Sequence, residues 1–139
     1  MSESGPASPA SSIRIHVVAG LLLDSQGRVL LAQRPEGKHL AGLWEFPGGK
    51  CEPGESATMA LVRELREELG IEAEPGETVM QLPWDYASKS LLLHAMRVPR
   101  WHGVPRSCEG QALRWVYPSS DLPMQLAPAD LPVMQALMG

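Results

Sequence analysis

The order of elements along the chain predicts an α+β fold with a mixed sheet. Apolar and β-branched runs typical of strands come first, one strongly periodic helix follows, and further strand-like runs lead to a short final helix. The sequence has 139 residues without internal repeats, and 44% of it is hydrophobic, which is enough for a single core. We therefore expect one domain over residues 13–139. The Ser-, Pro- and Ala-rich residues 1–12 are expected to form a disordered tail.

A β-hairpin is predicted at the start of the domain. Ile13–Leu23 is rich in aliphatic and β-branched residues, and Arg28–Gln33 is a second apolar run. Asp24–Gly27 between them has the composition of a turn. The polar segment Arg34–Gly42 is predicted to be a loop. A short strand, Leu43–Phe46, is then expected to end at the Pro-Gly-Gly sequence that follows it.

The most clearly predicted helix covers Ala57–Leu69, where apolar residues recur every four positions. Ser56 is a suitable N-cap and Gly70 a suitable C-terminal stop. A loop, Lys50–Glu55, leads into this helix. Later strands are predicted at 78–82, 90–98 and 112–117, and a final helix from near Asp130 to Met138.

The composition argues against several classes of partner. The formal net charge is −4 and Lys and Arg form no cluster, so duplex nucleic acid is an unfavourable partner. No apolar run reaches the length of a membrane span, and residues 1–12 lack the features of a signal peptide. Cys51 and Cys108 are expected to be free thiols in a reducing cytoplasm. We expect a monomer, or at most a weak homodimer, that binds neither nucleic acid nor membrane.

Three carboxylates fall together on the predicted helix. At about 100° per residue, Glu64 lies about 60° from Glu67 and about 40° from Glu68 around the helix axis. Glu68 also falls at the edge of the apolar stripe, so partial burial adds a desolvation cost to the repulsion between like charges. Divalent cations with oxygen ligands would remove this conflict. The alternative is a solvated acidic face, which the helix alone favours.

The residues before the helix favour the metal site. Gly48 and Gly49 allow a ligand to approach the backbone closely, and the Gly49 carbonyl is a further oxygen ligand. Glu55, just ahead of the helix, is expected to pair with Arg63 and to hold the loop against the helix. The alternative is an ordinary surface ion pair, which contributes little to stability.

The segment from Gly49 to Ile71 resembles a known family signature, G-x5-E-x7-R-E-U-x-E-E-x-G-U, where U is aliphatic. The specified positions are all filled, by Gly49, Glu55, Arg63, Glu64, Leu65, Glu67, Glu68, Gly70 and Ile71. This signature is the Nudix box, and the chain is similar to Nudix hydrolases of the MutT type. The similarity continues in three further segments, Leu43–Lys50, Glu109–Gln111 and Leu126–Pro132.

This resemblance implies the Nudix fold, in which a mixed sheet is sandwiched between helices in three α/β/α layers. It implies Mg²⁺ as the cofactor, with Mn²⁺ as a substitute. The implied metal ligands are Gly49, Glu64, Glu67, Glu68 and Glu109. The implied catalytic residues are Arg63, Glu64, Glu67 and Glu68, with Glu64 also a candidate for the base that activates water. The implied substrate contacts are Arg34, Glu45, Phe46, Tyr86 and Asp130, with Arg34 on a phosphate.

The implied reaction is hydrolysis of a nucleoside triphosphate by water that attacks the β-phosphorus, which releases a nucleoside monophosphate and pyrophosphate. Because the triphosphate repels hydroxide, Mg²⁺ is needed to neutralise the phosphates and to lower the pKa of a bound water. A carboxylate then removes the proton. The four histidines are scattered along the sequence and are expected to be structural or surface residues.

The sequence constrains the nucleobase of the substrate less closely than it constrains the reaction. Asp130 stands where MutT has an asparagine that recognises 8-oxoguanine, and an ionised aspartate only accepts hydrogen bonds. The alternative is that Asp130 caps the last helix. Tyr86 and Trp84 either stack on a base or pack in the core. We expect oxidised nucleotides such as 8-oxo-dGTP as substrates first, and CTP, dCTP or modified deoxycytidine triphosphates second.

Other functions of Nudix chains are less well supported. Hydrolases of ADP-ribose or dinucleoside polyphosphates commonly carry extra elements after the box, and this chain is compact. Ligand-sensing Nudix domains without activity often lose box glutamates, which are all present here. For Arg34 and Glu109, a solvated side chain remains the alternative to a site residue.

Overall fold

The computed structural model describes residues 14–139, so the predicted disordered tail lies outside the described residues. Within that range the strands are β1 (Ile15–Leu22), β2 (Val29–Gln33), β3 (Trp44–Glu45), β4 (Gly48–Lys50), β5 (Glu72–Glu74), β6 (Thr78–Tyr86), β7 (Lys89–Val98), β8 (Arg100–His102) and β9 (Leu113–Val116). The helices are α1 (Ala57–Leu69) and α2 (Leu131–Met138), and a 3₁₀ turn at Pro128–Asp130 precedes α2.

The strands form two main sheets and one small pair. The larger sheet has the order β4-β1-β7-β6, and it is mixed because β1 runs parallel to β7 whereas the other pairs are antiparallel. The second sheet, β3-β2-β9, is antiparallel, as is the pair β5-β8. The mixed sheet predicted from the order of elements is therefore confirmed.

Side chains alternate between two cores on opposite faces of the strands. In β1, Val18 and Leu22 pack on the side of α1, whereas Ala19 and Leu21 pack on the side of α2. The residues that α1 contributes to its core are Ala60, Leu61, Leu65 and Leu69, and α2 contributes Val133 and Met134 to the other. The strands thus lie between two helices, which confirms the predicted three-layer arrangement.

The predicted hairpin of the first two strands is wrong. Its turn exists, since the backbone N–H of Gly27 donates to the Asp24 carbonyl at 3.0 Å. However, β1 and β2 belong to different sheets and meet only at one bridge, between Leu23 and Val29. Both edges of β1 are occupied, by β4 and β7, so β2 pairs with β3 and β9 instead.

Some predicted boundaries also change. The strand predicted at Leu43–Phe46 is only two residues long, as β3, and the loop predicted from Lys50 begins one residue later because Gly48–Lys50 forms β4 against β1. Strand β6 continues to Tyr86, beyond its predicted end. The sequence does not predict β5 and β8, because these three-residue strands have little apolar pattern and are specified by their pairing with each other.

Helix α1 has the predicted ends. The Ser56 hydroxyl accepts a hydrogen bond from the backbone N–H of Met59 at 3.1 Å, as an N-cap does. Gly70 ends the helix with a left-handed backbone, at φ 69°, which an L side chain adopts only with strain. The direction of α1, which carries the box glutamates, is therefore fixed at both ends by local sequence.

Cys51 and Cys108 are both free thiols, as predicted. None of the helices formed by residues 14–139 is long and apolar enough to cross a membrane.

The stability of the domain should depend on the face of α1 that is buried. Leu61 is fully buried, so Leu61→Ala is expected to lower the free energy of unfolding by about 2–5 kcal/mol through lost contacts and a cavity. Met59, two residues away, is 59% exposed, and Met59→Ala should change stability by less than about 0.5 kcal/mol. Urea titration of both variants measures the difference. Equal effects would show that the packing of α1 is assigned wrongly.

Candidate active site

Two adjoining cavities form one cleft at the end of the sheets nearest the box. They share Arg34, Glu45 and Gly48 in their walls. One has a volume of about 240 Å³ and an acidic lining, in which the carboxylates are Glu45, Glu64, Glu68 and Glu109. The other has a volume of about 220 Å³ and a largely apolar lining, which includes Phe46, Tyr86, Leu91, Leu93 and Asp130. We call them the acidic cavity and the apolar cavity.

Arg63 ties the loop before α1 to the helix. Its Nε donates to Glu55 Oε2 at 2.7 Å and its Nη2 donates to Glu55 Oε1 at 2.9 Å. Nη2 also donates to the Lys50 carbonyl at 2.9 Å, at the end of β4. Arg63 holds the pKa of Glu55 low, at about 2, chiefly through these hydrogen bonds. The predicted pair of Glu55 and Arg63 is thus confirmed as the anchor of this loop.

The same guanidinium also reaches the box glutamates. Its Nη1 donates to Glu64 Oε2 at 3.2 Å and to Glu67 Oε1 at 3.3 Å. Gly49 lies directly against the carboxylate of Glu64, where a Cβ atom would collide with it. A larger residue at position 49 would therefore displace Glu64 or β4, which explains why the box begins with glycine.

Glu68 is the most buried of the box carboxylates, with 9% of its surface exposed. Burial raises the pKa of its carboxyl to about 8. The neighbouring charges that act in the same direction are those of Glu45, Glu109 and Glu64. Burial also raises the pKa of Glu64 above its ordinary value. The prediction that Glu68 is buried at the edge of the apolar stripe is confirmed.

Three of the five predicted metal-ligand residues have side chains in the acidic cavity: Glu64, Glu68 and Glu109. Glu67 does not line it, because its side chain is 53% exposed and turned toward Arg63. No three His, Cys, Asp or Glu side chains within residues 14–139 already stand in a metal-binding arrangement. The site nevertheless fits a hard cation, because carboxylates from α1 and from a distant loop line one cavity. Besides burial, the charge of Glu109 raises the pKa values of Glu64 and Glu68.

Arg34 and Glu45 form the boundary between the two cavities. Arg34 Nη1 donates to Glu45 Oε1 at 2.9 Å, and Arg34 Nε donates to the His39 carbonyl at 2.5 Å. Burial raises the pKa of Glu45, and Arg34 opposes this shift. Both residues were predicted as substrate contacts, and the structure brings them together at the point where the cavities meet.

Asp130 lies in the wall of the apolar cavity, with only 6% of its surface exposed. It occupies the N-cap position of α2, but its side chain makes no capping hydrogen bond. Its Oδ1 instead accepts from the backbone N–H of Phe46, at a long 3.5 Å. Burial, with the charge of Glu45, raises the pKa of Asp130 well above its ordinary value. The structure therefore favours a role in the cavity over the alternative of a helix cap.

Tyr86 connects the hairpin of β6 and β7 to the turn that carries Asp130. Its hydroxyl accepts from the backbone N–H of Ala129 at 3.0 Å, and its ring meets that of His39 edge-on, with centroids 5.0 Å apart. Trp84 packs beside Tyr86 and against the core on the side of α2 rather than in the cavity wall. Of the two aromatic residues considered for stacking on a base, Tyr86 alone lines the apolar cavity.

The comparisons with known proteins decide the family. The family model described as NUDIX domain matches residues 14–137. The chain belongs to the Nudix family. It is 51% identical over 124 residues to a CTP pyrophosphohydrolase of Escherichia coli K12, which covers 89% of this chain and 91% of that protein. It is 36% identical over 124 residues to an 8-oxo-dGTP diphosphatase of Haemophilus influenzae, which covers 89% of this chain and 91% of that protein.

A solved structure gives the same result for this Nudix chain. The solution structure of the E. coli ORF135 protein matches it with a TM-score of 0.81 and 49% identity, and the match covers 94% of each chain. The MutT-type Nudix fold implied by the sequence is therefore confirmed, and the chain is a Nudix hydrolase.

Several residues that line the cleft of this Nudix chain were not predicted from the sequence. They are Lys38, His39, Leu40, Lys50, Lys89 and Gln111. All six lie in loops or at strand ends, where single residues carry no periodic signal. Lys50 and Gln111 had a local signal, because they lie in the segments Leu43–Lys50 and Glu109–Gln111, which resemble other family members.

Glu68 should make the stability of this domain depend on pH when divalent ions are removed by EDTA. Because its pKa is raised from 4.5 to about 8, the folded state holds this proton more tightly than the unfolded chain does. Its contribution is therefore complete below pH 4.5 and is lost as the pH rises to about 8. Glu68→Gln cannot ionise, so the variant should gain melting temperature relative to the wild type as the pH is raised from about 6 to about 9. A difference in melting temperature that does not change with pH would contradict the burial of Glu68.

Proposed function

We propose that this chain is a Mg²⁺-dependent pyrophosphohydrolase that converts nucleoside triphosphates to monophosphates and pyrophosphate. The observation that carries the proposal is the cleft itself, in which the acidic cavity adjoins the apolar cavity at Arg34 and Glu45. A nucleotide has the matching polarity, since its phosphates bind cations and its base prefers an apolar pocket with a few polar groups. The relatives named for CTP and 8-oxo-dGTP support this class of substrate.

The metal site that we propose consists of Glu64, Glu68 and Glu109, the Gly49 carbonyl, and Glu67 after rotation of its side chain away from Arg63. Bound Mg²⁺ would neutralise phosphate charge and lower the pKa of a water molecule, and Mn²⁺ has the same preference for oxygen ligands. Arg63 keeps the box loop and the glutamates of α1 together, through Glu55 and Lys50. Its role here is to hold the ligands in place.

The chemistry at the phosphates follows from the side chains around the acidic cavity. Arg34 and Lys38 line it with positive charge and would bind phosphate oxygens. Water attacks the β-phosphorus, and its oxygen becomes part of the pyrophosphate. The bond between the β-phosphorus and the oxygen that bridges the α- and β-phosphates breaks, and this oxygen stays with the monophosphate. Glu64, which lines the acidic cavity, takes the proton of this water.

Asp130 supports a base pocket for 8-oxoguanine. Its raised pKa favours the neutral acid, which donates one hydrogen bond and accepts another, as an asparagine amide does. Unoxidised guanine presents two acceptors, O6 and N7, on its major-groove edge. Oxidation at C8 turns N7 into an N–H donor, so the edge then offers one acceptor and one donor. A neutral Asp130 complements the oxidised edge, which supports removal of 8-oxo-dGTP from the nucleotide pool as the function.

Cytosine nucleotides are the second candidate, and a specific observation favours them. The relative with 51% identity to this chain is named for CTP, whereas the 8-oxo-dGTP diphosphatase of H. influenzae is 36% identical. Cytosine presents an N4 amino donor beside the N3 acceptor, which a neutral carboxylic acid also complements. Both substrates therefore use the same property of Asp130, and we propose that the pocket accepts both.

The formal net charge of −4 disfavours nucleic acid as a partner. We propose a monomeric enzyme that acts on free nucleotides in the cytoplasm.

The substrate proposal is tested by kcat/KM for 8-oxo-dGTP, dGTP, CTP, dCTP and 5-methyl-dCTP, with ADP-ribose as a control from another substrate class. We expect Mg²⁺-dependent formation of monophosphate and pyrophosphate, with 8-oxo-dGTP and the cytosine nucleotides at least about 10-fold better than dGTP. Product analysis by ion-exchange chromatography identifies the bond that is cleaved. Equal rates for dGTP would overturn the proposed reading of the base, and no pyrophosphate from any triphosphate would indicate a ligand-sensing domain.

The protonation of Asp130 is tested by comparing Asp130→Asn with Asp130→Ala. As the pH rises through the raised pKa of Asp130, the wild type loses its donor, so its KM should rise. Asn keeps a donor and an acceptor at every pH and should flatten this profile, whereas Ala should raise KM by about 10-fold throughout. Asp121→Asn, an exposed control, should behave as the wild type. A wild-type pH profile in Asp130→Asn would refute the role of the neutral acid.

A further inference from the structure

Glu109 is a proposed metal ligand on an exposed segment. Residues 106–110 are all exposed, in contrast to the glutamates on α1, which a helix holds in place. Glu109 nevertheless lines the acidic cavity together with Glu64 and Glu68. A ligand on such a segment is useful only if something restricts its position, because an unrestrained loop loses conformational entropy when it binds.

The side chain that meets this need is Gln111, one of three buried polar or charged residues among those described. The other two are Glu68 and Asp130, for which a function has already been proposed. Gln111 is 9% exposed and lines the same acidic cavity. Its Oε1 accepts from the backbone N–H of Glu109 at 3.3 Å and from the Ser107 hydroxyl at 2.9 Å. One buried oxygen thus binds both sides of the loop that carries the ligand.

A second set of contacts fixes this loop to α1. The backbone N–H groups of Arg106 and Cys108 donate to the carbonyls of Leu69 and Glu68, each at 3.0 Å. These carbonyls belong to the last turn of the helix, where they have no partner within it. Residues 106 and 108 are therefore fixed to the end of α1, one of them to the backbone of Glu68. Gln111 then holds the residues beside them, Ser107 and Glu109.

We propose that Gln111 is a positioning residue that holds Glu109 toward the metal site. A neutral amide suits this task, because its oxygen accepts two hydrogen bonds without adding negative charge to a cavity that already contains four carboxylates. Residues that orient a metal ligand through a hydrogen bond typically change metal affinity by about 10–100-fold when they are replaced. The inference rests on the proposed function, since it takes Glu109 as a ligand.

The test is a double-mutant cycle on Mn²⁺ affinity, measured by electron paramagnetic resonance of free Mn²⁺ and independent of turnover. The proteins are the wild type, Gln111→Met, Glu109→Gln and the double variant. Methionine has nearly the shape of glutamine but lacks the acceptor. We expect Gln111→Met to weaken binding by about 10-fold in the wild type and to have no further effect when Glu109 is already replaced. Gln135→Met, on the exposed side of α2, is the matched control and should bind as the wild type.

Each alternative outcome overturns the assignment. Wild-type affinity in Gln111→Met shows that the contact is dispensable, and additive effects in the double variant show that Gln111 acts elsewhere than on Glu109. If Gln111→Met does not fold, Gln111→Asn replaces it, since the shorter side chain cannot reach both donors. Unchanged affinity in that variant would also refute the proposal.

The double-mutant cycle, together with an activity assay, distinguishes a failure of the role of Gln111 from a failure of the proposed function. If the wild type releases pyrophosphate but Glu109→Gln binds Mn²⁺ normally, the role of Gln111 is refuted while the activity stands. If the wild type binds Mn²⁺ and the cycle shows coupling, but no triphosphate is hydrolysed, Gln111 keeps its role and the proposed reaction is refuted.

Discussion

Repulsion among carboxylates that the fold forces together is the constraint on which the rest of this structure depends. Glu64 and Glu68 are one turn apart on α1, and both face a cavity that Glu45 and Glu109 also line. Burial and these like charges raise the pKa of Glu68 to about 8, so the arrangement opposes the ionised form of its own side chain. A site of this kind becomes favourable when a cation compensates it, which is why we propose the carboxylates as metal ligands.

The fold supplies this arrangement at three levels. Capping by Ser56 and Gly70 fixes the ends of α1, and packing of Leu61 and Leu65 fixes the face that it turns toward the sheets. Arg63 then connects α1 with the loop before it and with β4. A single guanidinium thus links Glu55, Glu64, Glu67 and the Lys50 carbonyl.

The apolar cavity depends on a different part of the fold. It forms between the hairpin where β6 ends and β7 begins, the turn before α2, and the segment from the end of β2 to β4, which are far apart in sequence. Tyr86 joins two of these parts through the backbone of Ala129, and Asp130 contacts Phe46 in the third. The cavity that we assign to the base is therefore built largely from other segments than the acidic cavity, although both share Arg34, Glu45 and Gly48.

The sequence predicted what local pattern and motif spacing determine. Helix α1 and its caps, the pairing of Glu55 with Arg63 and the burial of Glu68 all follow from spacing within one segment. It did not predict that β1 and β2 would separate into two sheets, because their pairing depends on which strands occupy the edges of β1. The burial of Asp130 likewise depends on residues distant in the chain, such as Phe46. Glu67 turns toward Arg63, and Gln111 contacts Ser107 and Glu109, so these contacts are local. They depend on side-chain conformations, which spacing does not specify.

The central claim is that this cluster of carboxylates holds divalent cations against a polyphosphate. Isothermal titration calorimetry of Mg²⁺ into the wild-type protein, with and without a non-hydrolysable nucleoside triphosphate, tests it most directly. Our account predicts saturable Mg²⁺ binding that becomes tighter when the nucleotide is present, because the phosphates complete the coordination of the ion. Absence of heat from Mg²⁺ and from Mn²⁺, in the presence of nucleotide as well as in its absence, would contradict it.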